Sequence, residues 1–222
     1  MLLLACMTPA ASAQPVPDTM ARRTMACTGC HGEQGRAASD GYYPRIAGKP
    51  AGYLYNQLLN FRDGRRGYPM MVYMVSNLSD AYLREMAEYF AGLHPPFPPP
   101  QPLQVPAATL ARGRQLALEG DKDKNVPACV ACHGQALTGV APAVPGLIGL
   151  PRDYLSAQFG AWKNGARHAA TPDCMAALAQ RLSVDDISAV SAWLSLQPAP
   201  PDALPLAAAT PMPLECGSAA LR

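Results

Sequence analysis

The chain has 222 residues, of which 49% are hydrophobic but only 7% aromatic, with 24 prolines and 18 glycines. That is material for one or two domains with a packed core and much irregular backbone. Its 18 basic and 16 acidic residues leave a formal charge of +2 and no basic stripe, which excludes a nucleic-acid-binding surface.

In chain order, residues 1–13 read as the remnant of an export signal. Leu2-Leu3-Leu4-Ala5-Cys6-Met7 is apolar, and Ala11-Ser12-Ala13 suits a cleavage site before Gln14. Leu3-Leu4-Ala5-Cys6 is an imperfect lipobox, so a lipid anchor at Cys6 is the alternative. Either route takes the mature chain out of the cytoplasm, and a periplasmic location is expected. No other run approaches the roughly 18 apolar residues of a membrane span, so the body is expected to be soluble or attached only peripherally.

A first helix is predicted from Asp18 into Cys27-Thr28-Gly29-Cys30-His31, a C-x-x-C-H string that returns as Cys129-Val130-Ala131-Cys132-His133. Two cysteines three apart on a helical turn can form thioethers to the two vinyl groups of one haem. The adjacent histidine then lies under the iron as an axial ligand. Two copies imply two covalently bound haems c. A redox dithiol of the thioredoxin kind needs a strand-to-helix junction, and no βαβ pattern surrounds either string. A zinc ribbon wants its second cysteine pair about 15–20 residues away, whereas most of a domain separates these pairs.

The chain is a tandem duplication. Pro44, Gly48, Pro50, Tyr53, Leu54 and Gln57 recur as Pro145, Gly149, Pro151, Tyr154, Leu155 and Gln158 at a constant offset, and Phe61 and Gly64 then match Trp162 and Gly165. Each copy reads as three main helices. The first of the second copy runs from Thr109 toward Glu119. The middle helices start after Pro50 and Pro151, where proline suits a first turn. The last start at Ser79 and Ser183, and Ser183-Val184-Asp185-Asp186 has capping-box spacing. Leu83, Met86, Ala87 and Phe90 recur at helical spacing, as do Ile187, Val190 and Leu194. No alternating strand pattern appears. The expected architecture is therefore all-α: residues 14–94 and 107–197 as two haem domains, joined by a proline-rich linker over 95–106 and followed by a proline- and alanine-rich tail over 198–222.

The second axial ligand separates carrier from catalyst, and methionine suits electron transfer. In the second copy Met175 is the only methionine between the middle and last helices. It lies seven residues before Leu182, as Met71 lies seven before Leu78. Met70 and Met74 compete with Met71, and His168 competes with Met175. His94, beside the linker, reads as surface structure.

Taken as a set, the C-x-x-C-H, Pro-x-Ile/Leu-x-Gly, Tyr-Leu-x-x-Gln and Met-x-x-x-x-x-x-Leu-Ser motifs of residues 18–197 resemble the di-haem cytochromes c of the c-four type. The resemblance implies two class I cytochrome c domains packed about a pseudo-twofold axis. It implies ligation of one iron by His31 and Met71 and of the other by His133 and Met175. It also implies that the carbonyls of Pro44 and Pro145 accept the ring N–H of the two histidines. Two features fall outside the family pattern: Cys174 beside Met175, and the tail.

Of seven cysteines, four belong to the haem strings and Cys6 to the leader, which leaves Cys174 and Cys216. In an oxidising compartment an even remainder favours a disulfide. Closing a loop of roughly 40 residues is worth on the order of 3–4 kcal/mol. The function expected is electron shuttling between a respiratory donor and a terminal oxidase or reductase, with no catalytic residues. The alternatives are a cytochrome subunit of an exported dehydrogenase, and a di-haem peroxidase-like enzyme, against which a methionine in each copy argues. The partners expected are redox proteins.

Overall fold

The structure, a computed structural model, describes residues 16–37, 42–100, 102–200, 203–207 and 211–219. The signal segment, its cleavage site and Cys6 lie outside the described residues. In the first repeat, α1 (Met20–Arg23) and α2 (Met25–His31) lead through a short 3-10 turn (Glu33–Gly35) to α3 (Ala51–Arg62), α4 (Pro69–Val75) and α5 (Asp80–Ala91). The second repeat holds α6 (Ala107–Leu118), α7 (Val130–His133), α8 (Arg152–Lys163), α9 (Cys174–Arg181) and α10 (Val184–Ser195). Between α7 and α8 lies a two-residue antiparallel ladder of β1 (Gly139–Val140) and β2 (Val144–Pro145).

The fold is helical, with two differences from the periodicity. The predicted first helix is split at Thr24, which is fully buried and whose hydroxyl donates back to the Met20 carbonyl at 2.7 Å. Such back-bonding competes with the helical ladder. Two further helices, α4 and α9, occupy the segments that carry the methionines. Pro69 opens α4, and the Asp173 carboxylate caps α9 by accepting from Ala176 N–H. At seven and eight residues these helices are too short for a 3.6-residue period to stand out.

In the first repeat α3 and α5 bury Leu54, Phe61, Leu83 and Phe90 between them. In the second, α10 packs against both α6 and α8 around Leu116, Leu155, Val190 and Leu194. The α6–α10 crossing is close because Gly113 has no side chain: a Cβ there would lie 2.2 Å from the Ala189 carbonyl oxygen.

The halves meet reciprocally. Gly67 N–H donates to the Ala166 carbonyl at 3.0 Å, and His168 N–H to that of Arg65 at 2.6 Å. These bonds flank an antiparallel bridge between Arg66 and Arg167. At the repeat offset each of these two bonds maps onto the other, and Arg66 faces its own equivalent Arg167, the mark of a twofold contact. The linker crosses the same region in a fixed path. Arg45, 3% exposed, donates to the carbonyls of Pro95 and Pro96 and stacks on the Phe97 ring at 3.9 Å. The same ring lies against Gly149, where a Cβ would be 2.3 Å from Phe97 Cδ1.

One ion cluster ties the second repeat together. The Asp186 side chain, 5% exposed, accepts from Arg112 at 2.8 Å, from Lys124 and from Ser183 N–H at 3.1 Å. Ser183 Oγ accepts from Asp186 N–H in return, completing the capping box. Burial pushes the Asp186 carboxyl up, but the bonds from Lys124, Arg112 and Ser183 outweigh it and hold the group well below the usual carboxylate range. Because the folded-state pKa is depressed, the stabilisation is complete above the ordinary value of 3.8 and is lost as pH falls through the folded value. Asp186→Asn is expected to cost about 2–4 kcal/mol at pH 7. The difference from wild type should shrink below about pH 4, as read from guanidinium unfolding across pH.

Candidate functional site

His31 ends α2 and His133 ends α7, and both are buried. Each is followed by a glycine in the left-handed region, Gly32 at φ 75° and Gly134 at φ 84°. That conformation turns the chain back over the ring, and only glycine adopts it without strain. The returning loop places the Pro44 carbonyl 2.8 Å from His31 Nδ1 and the Pro145 carbonyl 2.7 Å from His133 Nδ1. A carbonyl can only accept, so Nδ1 carries the proton and Nε2 keeps its lone pair for a metal. Burial lowers the pKa of both imidazoles, which favours this neutral form.

Cys27, Cys30, Cys129 and Cys132 are not disulfide-bonded. Burial pushes the Cys129 thiol up to about 12 and also raises Cys27 and Cys132. A reactive dithiol needs the opposite shift. Among the described residues no cluster of three or more His, Cys, Asp or Glu could hold a bare metal ion. Neither rival reading of the C-x-x-C strings finds support.

Cys129, Cys132, His133, Pro145 and Met175 line one largely apolar cavity together with Leu116, Leu155 and Leu194. In the first repeat Cys27, Met71 and Met74 pack against the core on which α3 and α5 converge. Met70 is 55% exposed, whereas Met71 and Met74 both face that core. His168 and His94 are exposed. Cys174 and Cys216 are joined in a disulfide, which brings the tail to the start of α9.

The face between the halves holds groups to which the sequence alone assigns no role. Arg66 donates to Gln57 Oε1 at 2.9 Å and to Gln158 Oε1 at 2.7 Å. Arg167 donates to the same two oxygens at 2.9 and 2.7 Å. Each guanidinium also stacks on the aromatic ring of its own repeat, Arg66 on Phe61 at 4.6 Å and Arg167 on Trp162 at 3.9 Å. Among the described residues no carboxylate pairs with either arginine. Lys49, bonded to the Gly146 carbonyl at 3.2 Å, lines the adjoining cavity with His133, Met175 and Arg167, and burial pushes its amine down to about 8. The buried indole N–H of Trp162, on the same cavity, has no acceptor. The signal was present in the repeat: Arg66 and Arg167 stand at the same offset as Gln57 and Gln158.

This donor set fits a haem. Apolar walls suit the macrocycle, and two thiols, a lone-pair Nε2 and a thioether share the cavity. Cations and an orphaned N–H without anionic partners lie where an acidic edge would be neutralised.

No protein-family model matches the chain. It is 39% identical over 175 residues to the thiosulfate dehydrogenase electron acceptor of Thiomonas intermedia, covering 79% of this chain and 80% of that protein. It is 31% identical over 173 residues to cytochrome c4 of Pseudomonas aeruginosa, covering 76% and 82%. The chain belongs to the cytochrome c4 family. The crystal structure of reduced cytochrome c4 from Pseudomonas stutzeri superimposes with a TM-score of 0.69 at 27% identity, over 79% of this chain and 95% of that one. The chain is thus a haem c electron carrier of the di-haem cytochrome c4 type, not an enzyme.

Within that cytochrome c4 frame the crossed arginine–glutamine bonds hold one half to the other. Gln158→Leu removes an acceptor from both guanidiniums at once. A loss of about 2–3 kcal/mol is expected, as for a charged hydrogen bond left unmade in a buried place. Chemical unfolding of the haem-loaded protein measures it.

Proposed function

We propose that this cytochrome carries two covalently attached haems c outside the cytoplasm. The first would be held by Cys27 and Cys30 with His31 and Met71 as axial ligands, the second by Cys129 and Cys132 with His133 and Met175. The observation that carries this reading is the single cavity shared by Cys129, Cys132, His133 and Met175. Met71 is preferred to Met74 because it is the repeat equivalent of Met175. Domain limits at 14–94 and 107–197 follow from the same repeat. Export is supported by the N-terminal pattern, and no helix among the described residues is long and apolar enough to cross a membrane.

Bound haem would supply an iron that alternates between ferric and ferrous states, one electron at a time. The chain's own part is to keep each imidazole in one tautomer through Pro44 and Pro145, to present a methionine that favours the ferrous state, and to keep water away with leucine walls. Arg66, Arg167, Lys49 and the Trp162 N–H would hold the acidic edge at the contact between halves. That placement favours electron exchange between the two centres inside one molecule. The resemblance to the Thiomonas electron acceptor supports a dehydrogenase that oxidises thiosulfate as the donor. A terminal oxidase or reductase would take the electrons onward.

Mass spectrometry of the purified protein is expected to find two haems, and its oxidised spectrum two methionine-to-iron charge-transfer bands. Met71→Ala and Met175→Ala should each abolish one band and lower one midpoint potential, leaving the other unchanged. A single haem, or a high-spin iron in the wild type, overturns the assignment. Mixing with a thiosulfate dehydrogenase and thiosulfate should reduce both haems, and no reduction rules out that donor.

A further inference from the structure

The tail is the feature that the family pattern leaves unexplained, and its path is specific. Leu206 sits on the loop that follows His133: its N–H donates to the Gly139 carbonyl at 2.9 Å, and its carbonyl accepts from Ala141 N–H at 2.7 Å. Ten residues on, Cys216 is bonded to Cys174, next to Met175. Gly217 N–H donates to the Pro172 carbonyl at 2.9 Å, and this approach needs glycine, because a Cβ would lie 2.2 Å from the Thr171 carbonyl oxygen. The Ser218 carbonyl accepts from Asn56 of the first half at 3.0 Å. The tail is therefore fastened at both ends, on the histidine side of the second cavity and on its methionine side.

The stretch approaching the disulfide is shaped for this path. Pro211, Pro213 and Glu215 are exposed, while Met212, Leu214 and Cys216 are partly buried and line the cavity shared by His133 and Met175. Exposure thus alternates residue by residue, with the apolar side chains turned inward, along a chain that bends at Pro213 and Leu214. The prolines fix φ and remove N–H groups that would need partners. In the first repeat the segment after α5 goes elsewhere, through Phe97 to Gly149 of the other half.

We propose that Leu206 and residues 211–218 form a latched strap that walls the second haem site, holds the Met175 end of α9 against it and closes that iron to outside ligands. The inference rests on the assignment of His133 and Met175 to the second haem. Cys216, Met212 and Leu214 act through the wall they build and through α9, so they are positioning residues. A closed wall taxes any outside ligand by the fraction of time it is open.

The test compares the haem-loaded wild type with a chain ending at Ala207, with the double variant Cys174→Ala/Cys216→Ala and with Met212→Ala/Leu214→Ala, which keeps the disulfide. Imidazole is titrated into each ferric protein and both midpoint potentials are measured. The second iron is identified as the one whose methionine band disappears in Met175→Ala. Its imidazole affinity is expected to rise at least about tenfold in the truncated and double-cysteine proteins, with a fall in its potential, while the first iron keeps wild-type values. Met212→Ala/Leu214→Ala should move the same iron in the same direction by less. Unchanged affinity and potential at the second iron, or a change confined to the first, overturns the strap. If the truncated or double-cysteine protein fails to fold or retain both haems, Met212→Ala/Leu214→Ala decides by the same criterion. A wild-type protein without two methionine bands overturns the ligand assignment itself, and the strap with it.

Discussion

Two guanidinium groups of like charge lie against each other where the repeats meet, and the arrangement of the halves depends on the contacts that keep them there. Arg66 and Arg167 are paired through the backbone on either side, so neither can withdraw without breaking the Gly67–Ala166 and His168–Arg65 bonds. Gln57 and Gln158 each offer one amide oxygen to both cations, and Phe61 and Trp162 offer ring faces. These acceptors are neutral, so they satisfy the hydrogen-bonding capacity without cancelling the charge. Burying uncancelled charge is costly, and the burden becomes an advantage once an anionic cofactor edge arrives. The contact that orients the halves would thus also receive the acidic cofactor edges proposed for it.

The second theme is symmetry kept at the centre and broken at the ends. Both copies present a histidine ring tied to a proline carbonyl, a helix that carries a methionine and a serine-capped last helix. They differ in the course of the chain beyond that last helix. After α5 the chain crosses to the other half under the clamp of Arg45 on Phe97. After α10 it turns back over its own cavity and is fastened by a disulfide. The two proposed centres, with matched ligands, would thereby lie in unequal surroundings, which is how one polypeptide can separate two potentials without changing its ligands.

Much of this was legible in the sequence, for physical reasons that differ from residue to residue. Thioether chemistry demands contiguous order, so Cys27 to His31 and Cys129 to His133 announce themselves. The repeat then selects Met71 and Met175, and counting isolates Cys174 and Cys216. The helices that start after Pro50 and Pro151 are long enough for periodicity to show, whereas α4 and α9 are not. The roles of Arg66 and Arg167 were hidden because a repeat pairs equivalent residues without saying that equivalents touch. Nor does a stretch of alternating prolines say which surface it lies against, so the path of Met212 and Leu214 emerges only in three dimensions.

The passage of the linker between Gly48 and Gly149 has a topological consequence. These glycines are repeat equivalents with nearly equal φ, 69° and 67°; one lies against Leu93 and His94, the other against Phe97. One strand of chain thus occupies both of two related notches at once. Phe97 already fills the notch at Gly149, so the segment after the second copy takes a different course, back over its own half.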